Sequence, residues 1–372
     1  MSYFFCGRWD IISLCGTIKV QVERELKGVR KLRRLIEIQK KVLPDLMELL
    51  SKRYRILQIV RSMQPIGRRS LAQLLDMTER VVRSDTEFLK DQGLLHNSAS
   101  GMTLTTEGLQ LVEEMDEVMR EVFGLFELEH QLQTLLNIRK VIIVPGDSYT
   151  SPWVKQDLGR ATVEQMKSLV EDGWVISVTG GTTLAKVAES MNPSPKLRTL
   201  LYVPARGGLG EDVENQANTI CSQMAQRSGG HYRLLHVPDE LSESSYESLS
   251  SDPQIAEVVS VIRSSSLIVH GIGEAKTMAK RRKASPEVIK LLQEHHAVSE
   301  AFGYYFNQDG EIIHKVRSIG LRLEDVHQAK HILAVAGGRD KAMAILSFLN
   351  HGVHDVLITD EGAAREILRH MQ

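Results

Sequence analysis

From Arg139 onward the chain alternates short apolar, β-branched runs with stretches of helical period, and that alternation constrains the fold more than any other feature. The runs cover 141–144, 175–178, 200–203, 234–237, 267–269, 332–335 and 356–358. Each reads as a strand buried on both faces. Seven such strands separated by helices predict an α/β domain with a mainly parallel sheet and helices on both faces. Sheets of this kind hold ligands in crevices beyond the C-terminal ends of their strands. Here the strand ends run into polar or glycine-rich turns: Pro145-Gly-Asp-Ser148, Thr179-Gly-Gly-Thr-Thr183, Pro204-Ala-Arg-Gly-Gly208, His270-Gly-Ile-Gly-Glu274 and Ala336-Gly-Gly-Arg339.

One sheet does not use all 372 residues, and the length predicts two domains with an extra segment. The net charge of -1 hides an asymmetry. Between Arg33 and Gly93 stand 13 Lys/Arg against 8 Asp/Glu, an excess of five positive charges, so the remainder carries six negative charges in excess. A basic end on an acidic body suits a module that meets phosphates while its partner domain does something else. An aromatic content of 5% argues against stacking platforms for single-stranded nucleic acid. Cys6, Cys15 and Cys221 have no zinc-type spacing and fit a reducing cytoplasm better than a disulfide scaffold. No apolar run approaches the ~20 residues that span a bilayer, so no membrane partner is expected. Residues 1–32 lack a sustained period and read as a disordered or misassigned N-terminal extension.

The segment 33–106 reads as helix, helix, helix, hairpin: a winged helix-turn-helix. Helical spacing runs from Leu46 to Val60, Pro65 interrupts it, and a short helix is predicted over 68–75. Thr78 is placed to cap a third helix that ends at Gly93. Two short strands, 94–96 and 102–104, flank a polar turn whose Asn97 and Ser98 could meet phosphate. A long linker helix is expected over 107–137. On the third helix, Val81, Val82, Phe88 and Leu89 are assigned to the packed face, leaving Arg80, Arg83, Ser84 and Lys90 for a major groove. Arg can donate twice to guanine O6 and N7. Arg68 and Arg69 open the preceding helix and complete the DNA-binding set.

Thr179-Gly180-Gly181-Thr182-Thr183 follows a strand and opens a helix. Glycines allow close backbone approach, and the helix start offers unpaired N–H groups and a positive dipole end, so the segment predicts an anion site. It lacks the Lys of a P-loop and the spacing of a dinucleotide fingerprint, so no nucleotide cofactor is expected. Arg206 could pair bidentately with a phosphate, and Lys341 could serve one too. Gln216 and Glu300 are candidates for sugar hydroxyls, and Arg281, within Lys280-Arg-Arg-Lys283, could close over a second phosphate. His270, Glu274, Asp360 and Glu361 are acid–base types by position only. Nothing in their spacing brings two together, no metal motif occurs, and no catalytic residue is assigned.

The segments Pro65-Ile-Gly-Arg-Arg-Ser-Leu71, Ser148-Tyr-Thr-Ser-Pro-Trp-Val154, Val178-Thr-Gly-Gly-Thr-Thr183, Val203-Pro-Ala-Arg-Gly-Gly-Leu-Gly-Glu-Asp212, Asn215-Gln-Ala-Asn-Thr219 and Glu300-Ala-Phe-Gly-Tyr-Tyr-Phe306 resemble the SorC/DeoR-type sugar-responsive transcriptional repressors. The resemblance extends from about residue 35 to the C-terminus. It implies a repressor of the operon for the triose-phosphate steps of glycolysis. It further implies an effector and oligomerisation domain over 138–372, of the sugar-phosphate isomerase type but turned to sensing, with fructose 1,6-bisphosphate as inducer. In the family the Gly-Gly-Thr-Thr loop and the Arg after Pro-Ala hold phosphate, which carries over to Gly180, Gly181, Thr182, Thr183 and Arg206. Gln216, Arg281, Glu300 and Lys341 are carried over as further contacts. The implied partners are double-stranded operator DNA, the phosphorylated sugar and further copies of the chain, as a dimer or tetramer. The competing expectation is a sugar-phosphate isomerase-like enzyme.

Overall fold

The structure, a computed structural model, describes residues 34–209, 212–352 and 354–371. The N-terminal extension expected over 1–32 lies outside the described residues. The chain divides into two compact units, one ending at Gly124 and one starting at Leu125.

The first unit contains helices 34–42, Pro44–Met63, Arg68–Leu74 and Glu79–Asp91, an antiparallel hairpin of Leu95–Ser98 with Gly101–Leu104, and helix Thr106–Val122. Tyr54, Ile56, Leu57, Ile59 and Val60 form its core stripe. The Thr78 cap falls where the sequence places it, accepting from Val81 N–H, and Thr105 caps the last helix by accepting from Gly108 N–H. A polar clamp joins the first long helix to the last, because Asp116 accepts from Tyr54 Oη (2.5 Å) and pairs with Arg61 (2.9 Å).

Three sequence expectations change here. The hairpin turn is shorter than expected, since strand pairing reaches Ser98 and Gly101. The single helix expected over 107–137 is two, Thr106–Val122 and Leu125–Leu136, with Gly124 between them at φ +69°. That left-handed residue ends the first helix, and the periodic apolar residues on either side mask the break. The buried face of helix Glu79–Asp91 is Val82, Asp85, Thr86 and Leu89, whereas Val81 and Phe88 are each 41% exposed. Asp85 takes an inward position because Lys52 (2.7 Å) and Arg53 (3.2 Å) neutralise it, and the Arg53 guanidinium stacks 3.7 Å over the Phe88 ring.

The second unit is built on a seven-stranded parallel sheet. From edge to edge its strands are Lys140–Val144, Val356–Asp360, His331–Val335, Leu267–Gly271, Val175–Val178, Leu201–Pro204 and His231–Tyr232. Strand 356–360 is buried at every position and strand 267–271 at all but its last, as helices on both faces require. Six of the seven expected strands form. The run 234–237 does not: Leu235 and Val237 are buried, but the Asn218 side chain takes both the Leu235 N–H (3.1 Å) and carbonyl (2.9 Å), replacing a ladder. The edge strand is the exposed pair His231–Tyr232 instead.

The order of strands creates the site. Strand 175–178 connects onward to its neighbour on one side, 201–204, and strand 267–271 to its neighbour on the other, 331–335. The loops leaving these two adjacent strands therefore diverge, which opens a crevice at their C-terminal ends. A second, antiparallel sheet of Ile312–Lys315, Tyr304–Phe306, Ser299–Ala301 and Gly273–Glu274 walls one side. Its strands are too short to show a period in the sequence.

Candidate functional site

The crevice is a cleft of about 440 Å³. All nine residues singled out for a phosphorylated ligand line it: Gly180, Gly181, Thr182, Thr183, Arg206, Gln216, Arg281, Glu300 and Lys341. They arrive from three strand-end loops, one helix start, one helix end and the small sheet, and the first and last stand 161 positions apart.

The glycine–threonine loop is built differently from a freely donating bend. The Gly181 N–H is already bonded to the Asn215 carbonyl (2.8 Å), and a Cβ on Gly180 would press 2.7 Å against the same oxygen. Gly180 permits this close contact, and Gly181, at φ +131°, supplies the bend. What faces a ligand is the start of helix Thr182–Ser190, with its unpaired first-turn N–H groups and two hydroxyls. The Thr179 hydroxyl accepts from Gly271 N–H (3.0 Å) and ties the two diverging loops together.

Opposite lies a buried ionic quartet. Arg206 is 7% exposed and pairs with Asp239 (2.7 Å); Arg282 pairs with Asp239 (2.8 Å) and Glu300 (2.9 Å), and donates to Tyr305 Oη (3.1 Å). Arg206 Nη1 lies 3.9 Å from Glu300, whose Oε1 also accepts the Gly303 N–H (2.7 Å). Burial pulls the Arg206 pKa below its ordinary value, yet beside Asp239 the guanidinium stays a cation. Burial also opposes the charge on Arg282, but Glu300 and Asp239 together outweigh it and raise its pKa. Gly303, at φ +81°, sits on Arg206 so closely that any Cβ there would collide with the guanidinium.

Glu300 is therefore the counter-ion of Arg282 first, and these contacts use only its Oε1. Gln216 braces the loop by accepting from Leu209 N–H (3.0 Å). Arg281 is partly exposed, 3.9 Å from Asp212. Among the described residues Lys341 has no carboxylate at ion-pair distance, and burial, with Lys155 and Arg281 nearby, holds its pKa below the usual lysine value. Sequence reading missed Asp239 and Arg282. Arg282 stands one residue beyond Arg281 in the same basic run and is the one that turns inward.

Three of the four acid–base types serve structure, and the fourth, Glu274, lines the cleft. His270 is fully buried against Phe302 (4.6 Å) and Phe348 (5.0 Å), and burial lowers its pKa to about 4. Asp360 accepts three backbone N–H groups, from Ser148, Gly338 and Ala363. Glu361 holds Arg365, and Glu274 accepts from the Thr277 hydroxyl.

In the first unit, Arg80, Arg83, Ser84 and Lys90 are exposed along helix Glu79–Asp91, with Arg68 and Arg69 exposed at the start of the preceding helix. Glu87 lies within this set. It holds Arg83 at 2.8 Å and approaches Arg68 at 3.9 Å, and the bond from Arg83 lowers its pKa. Ser98 bonds to the Gly101 carbonyl within the hairpin turn. No described helix is long and apolar enough to cross a membrane.

Two family models match the chain: "CggR N-terminal DNA binding domain" over residues 49–119 and "Putative sugar-binding domain" over 120–369. The central glycolytic genes regulators of Priestia megaterium and Bacillus subtilis are each 52% identical to it, over 91% and 90% of this chain and 99% and 98% of theirs. The crystal structure of a SorC family transcriptional regulator from Enterococcus faecalis superposes with TM-score 0.62 at 41% identity, covering 65% of this chain and 99% of that one. The full-length sorbitol operon regulator SorC of Klebsiella pneumoniae shares the fold at 17% identity, with TM-score 0.62 over 87% of this chain and 98% of its own. These relatives are transcriptional regulators and not enzymes. The chain belongs to the SorC-type family of DNA-binding, sugar-responsive transcriptional regulators, within the group of central glycolytic genes regulators.

Proposed function

We propose that the chain is a cytoplasmic repressor of central glycolytic genes, released from operator DNA by a phosphorylated sugar, and that fructose 1,6-bisphosphate is this inducer. The observation that carries the reading is the convergence of a helix start, two threonine hydroxyls, Arg206, Arg281 and the unpaired Lys341 on one cleft. A doubly phosphorylated sugar supplies an anion for each end. The winged unit reads the operator through Arg80, Arg83, Ser84 and Lys90, with Arg68, Arg69 and the hairpin on phosphates. The effector unit assembles copies into a dimer or tetramer, so several winged units hold one operator together. Inducer weakens this grip by the difference in its affinity for the two arrangements of the assembly.

Thr182→Val removes one hydroxyl from the anion site and leaves the volume nearly unchanged. Free protein keeps its operator affinity, while the bisphosphate concentration needed for half-release rises about tenfold or more, the loss expected for a hydrogen bond to a charged group. An operator-shift titration measures both. An unchanged half-release concentration would remove the loop from the inducer site.

Proton uptake gives an independent check. The Lys341 pKa lies below its ordinary value because of burial and the neighbouring cations. A bound phosphate opposes both causes and raises it. Binding therefore takes up protons at pH values between the lowered and the ordinary pKa, and affinity falls as pH rises through that window. Calorimetry in two buffers of different ionisation enthalpy reads the uptake, and its absence at alkaline pH would place the phosphate away from Lys341.

A further inference from the structure

We propose that Lys155 is a ligand-binding residue of this cleft, which completes with Lys341 and Arg281 a cationic clamp around the phosphate seated at the start of helix Thr182–Ser190. The proposal rests on the phosphorylated-sugar reading above and deepens it.

Lys155 stands where a helix disfavours a cation. It is the second residue of helix Val154–Leu169, and the positive dipole end should select against it there. The one carboxylate in that first turn, Asp157, is taken by Arg160. Among the described residues Lys155 has no carboxylate at ion-pair distance, and the one hydrogen-bond partner of its ammonium is Thr182 Oγ1 at 3.5 Å. Lys155 therefore reaches across from a different helix to the very hydroxyl that opens the anion loop.

Lys341 approaches from a third direction, the turn after strand His331–Val335, and it feels Lys155 and Arg281 as like charges. The acidic groups nearest this cluster are Asp340, Asp360 and Asp212, and Glu274 lines the same cleft. Asp360 is committed to its three backbone donors, and Asp212 is largely exposed beside Arg281. That leaves Asp340 as the carboxylate nearest to three cations, Lys155, Lys341 and Arg281, and a dianion among them offsets the remaining repulsion. A lysine that served only to hold the helix in place would pair with a carboxylate or cover apolar surface instead.

The test uses the full chain as wild type, Lys155→Gln and Lys155→Arg, titrated calorimetrically with fructose 1,6-bisphosphate, fructose 1-phosphate, fructose 6-phosphate and inorganic phosphate. Lys155→Gln is expected to bind the bisphosphate about tenfold or more weakly, and Lys155→Arg to stay within about threefold of wild type. Of the two monophosphates, the one that fills this end of the cleft loses as much as the bisphosphate, and the other is unaffected. The melting temperature of unliganded Lys155→Gln should stay level or rise, since repulsion is relieved; a purely structural lysine would lower it. Equal bisphosphate affinity in wild type and Lys155→Gln overturns the proposal while leaving the sugar-phosphate reading intact. Wild type that binds inorganic phosphate through Lys155 but no sugar phosphate keeps the clamp and sinks the sugar reading. Wild type that binds none of the four overturns both.

Discussion

Arg282→Met destabilises the effector unit by about 3–5 kcal/mol, the cost of removing one partner from a buried ionic group. Arg282 bonds to both carboxylates of the quartet, and without it Arg206 alone would have to neutralise Asp239 and Glu300. One negative charge would then remain buried among Tyr305 and the small sheet. For a unit of this size the loss corresponds to a fall in melting temperature of about 6 °C or more. The double variant Arg282→Met with Glu300→Gln restores the balance of one cation to one anion, and it should recover more than half of that loss. Such a coupling is the signature of two groups that act as a pair. A melting temperature within about 2 °C of wild type for the single variant would show that Arg282 is solvated and not part of a closed quartet. Inducer affinity should fall as well, because Asp239 and Glu300 would then both draw on Arg206, the guanidinium proposed to meet phosphate.

The parallel sheet was legible because its strands are buried on both faces, which leaves unbroken apolar runs in the sequence. The same signal failed at 234–237, where the residues are equally buried but the Asn218 amide satisfies the backbone in place of a neighbouring strand. Periodicity reports burial, and only hydrogen bonding distinguishes a strand from a packed coil. The cleft was legible for a related reason. Most of its residues lie in loops at strand C-termini, so the alternation of strands and helices already brings them to one edge. The quartet was not legible. Arg281 and Arg282 are adjacent at a helix end, and no period decides which of two neighbours turns inward where a helix stops. Asp239 lies in an irregular segment after the misassigned run. Lys155 sits on helix Val154–Leu169, whose pattern is otherwise ordinary. Its one sequence mark is a cation in a first turn.

On the DNA side, Arg83→Ala should weaken operator binding by about ten- to a hundredfold for each copy engaged, and relax selectivity at one guanine position, as the loss of a bidentate base contact implies. Arg83 is 65% exposed and held by Glu87 at 2.8 Å, an arrangement that orients the guanidinium along the helix while no base is present. Guanine must displace that carboxylate, so Glu87→Gln should act in the opposite direction and tighten binding, non-cognate sequences included. Arg69 provides the contrast. It is 92% exposed, with Glu79 no nearer than 3.8 Å, and Arg69→Ala should weaken all sequences alike while reducing the salt slope by about one for each site. Binding measured at several salt concentrations on cognate and scrambled duplexes separates the three variants. If Arg83→Ala kept both its affinity and its selectivity, helix Glu79–Asp91 would be a structural support for the wing, and sequence reading would have to move to the hairpin. If Arg83→Ala and Arg69→Ala behaved identically, the basic face would hold phosphates only, and operator choice would rest on the spacing of copies in the assembly.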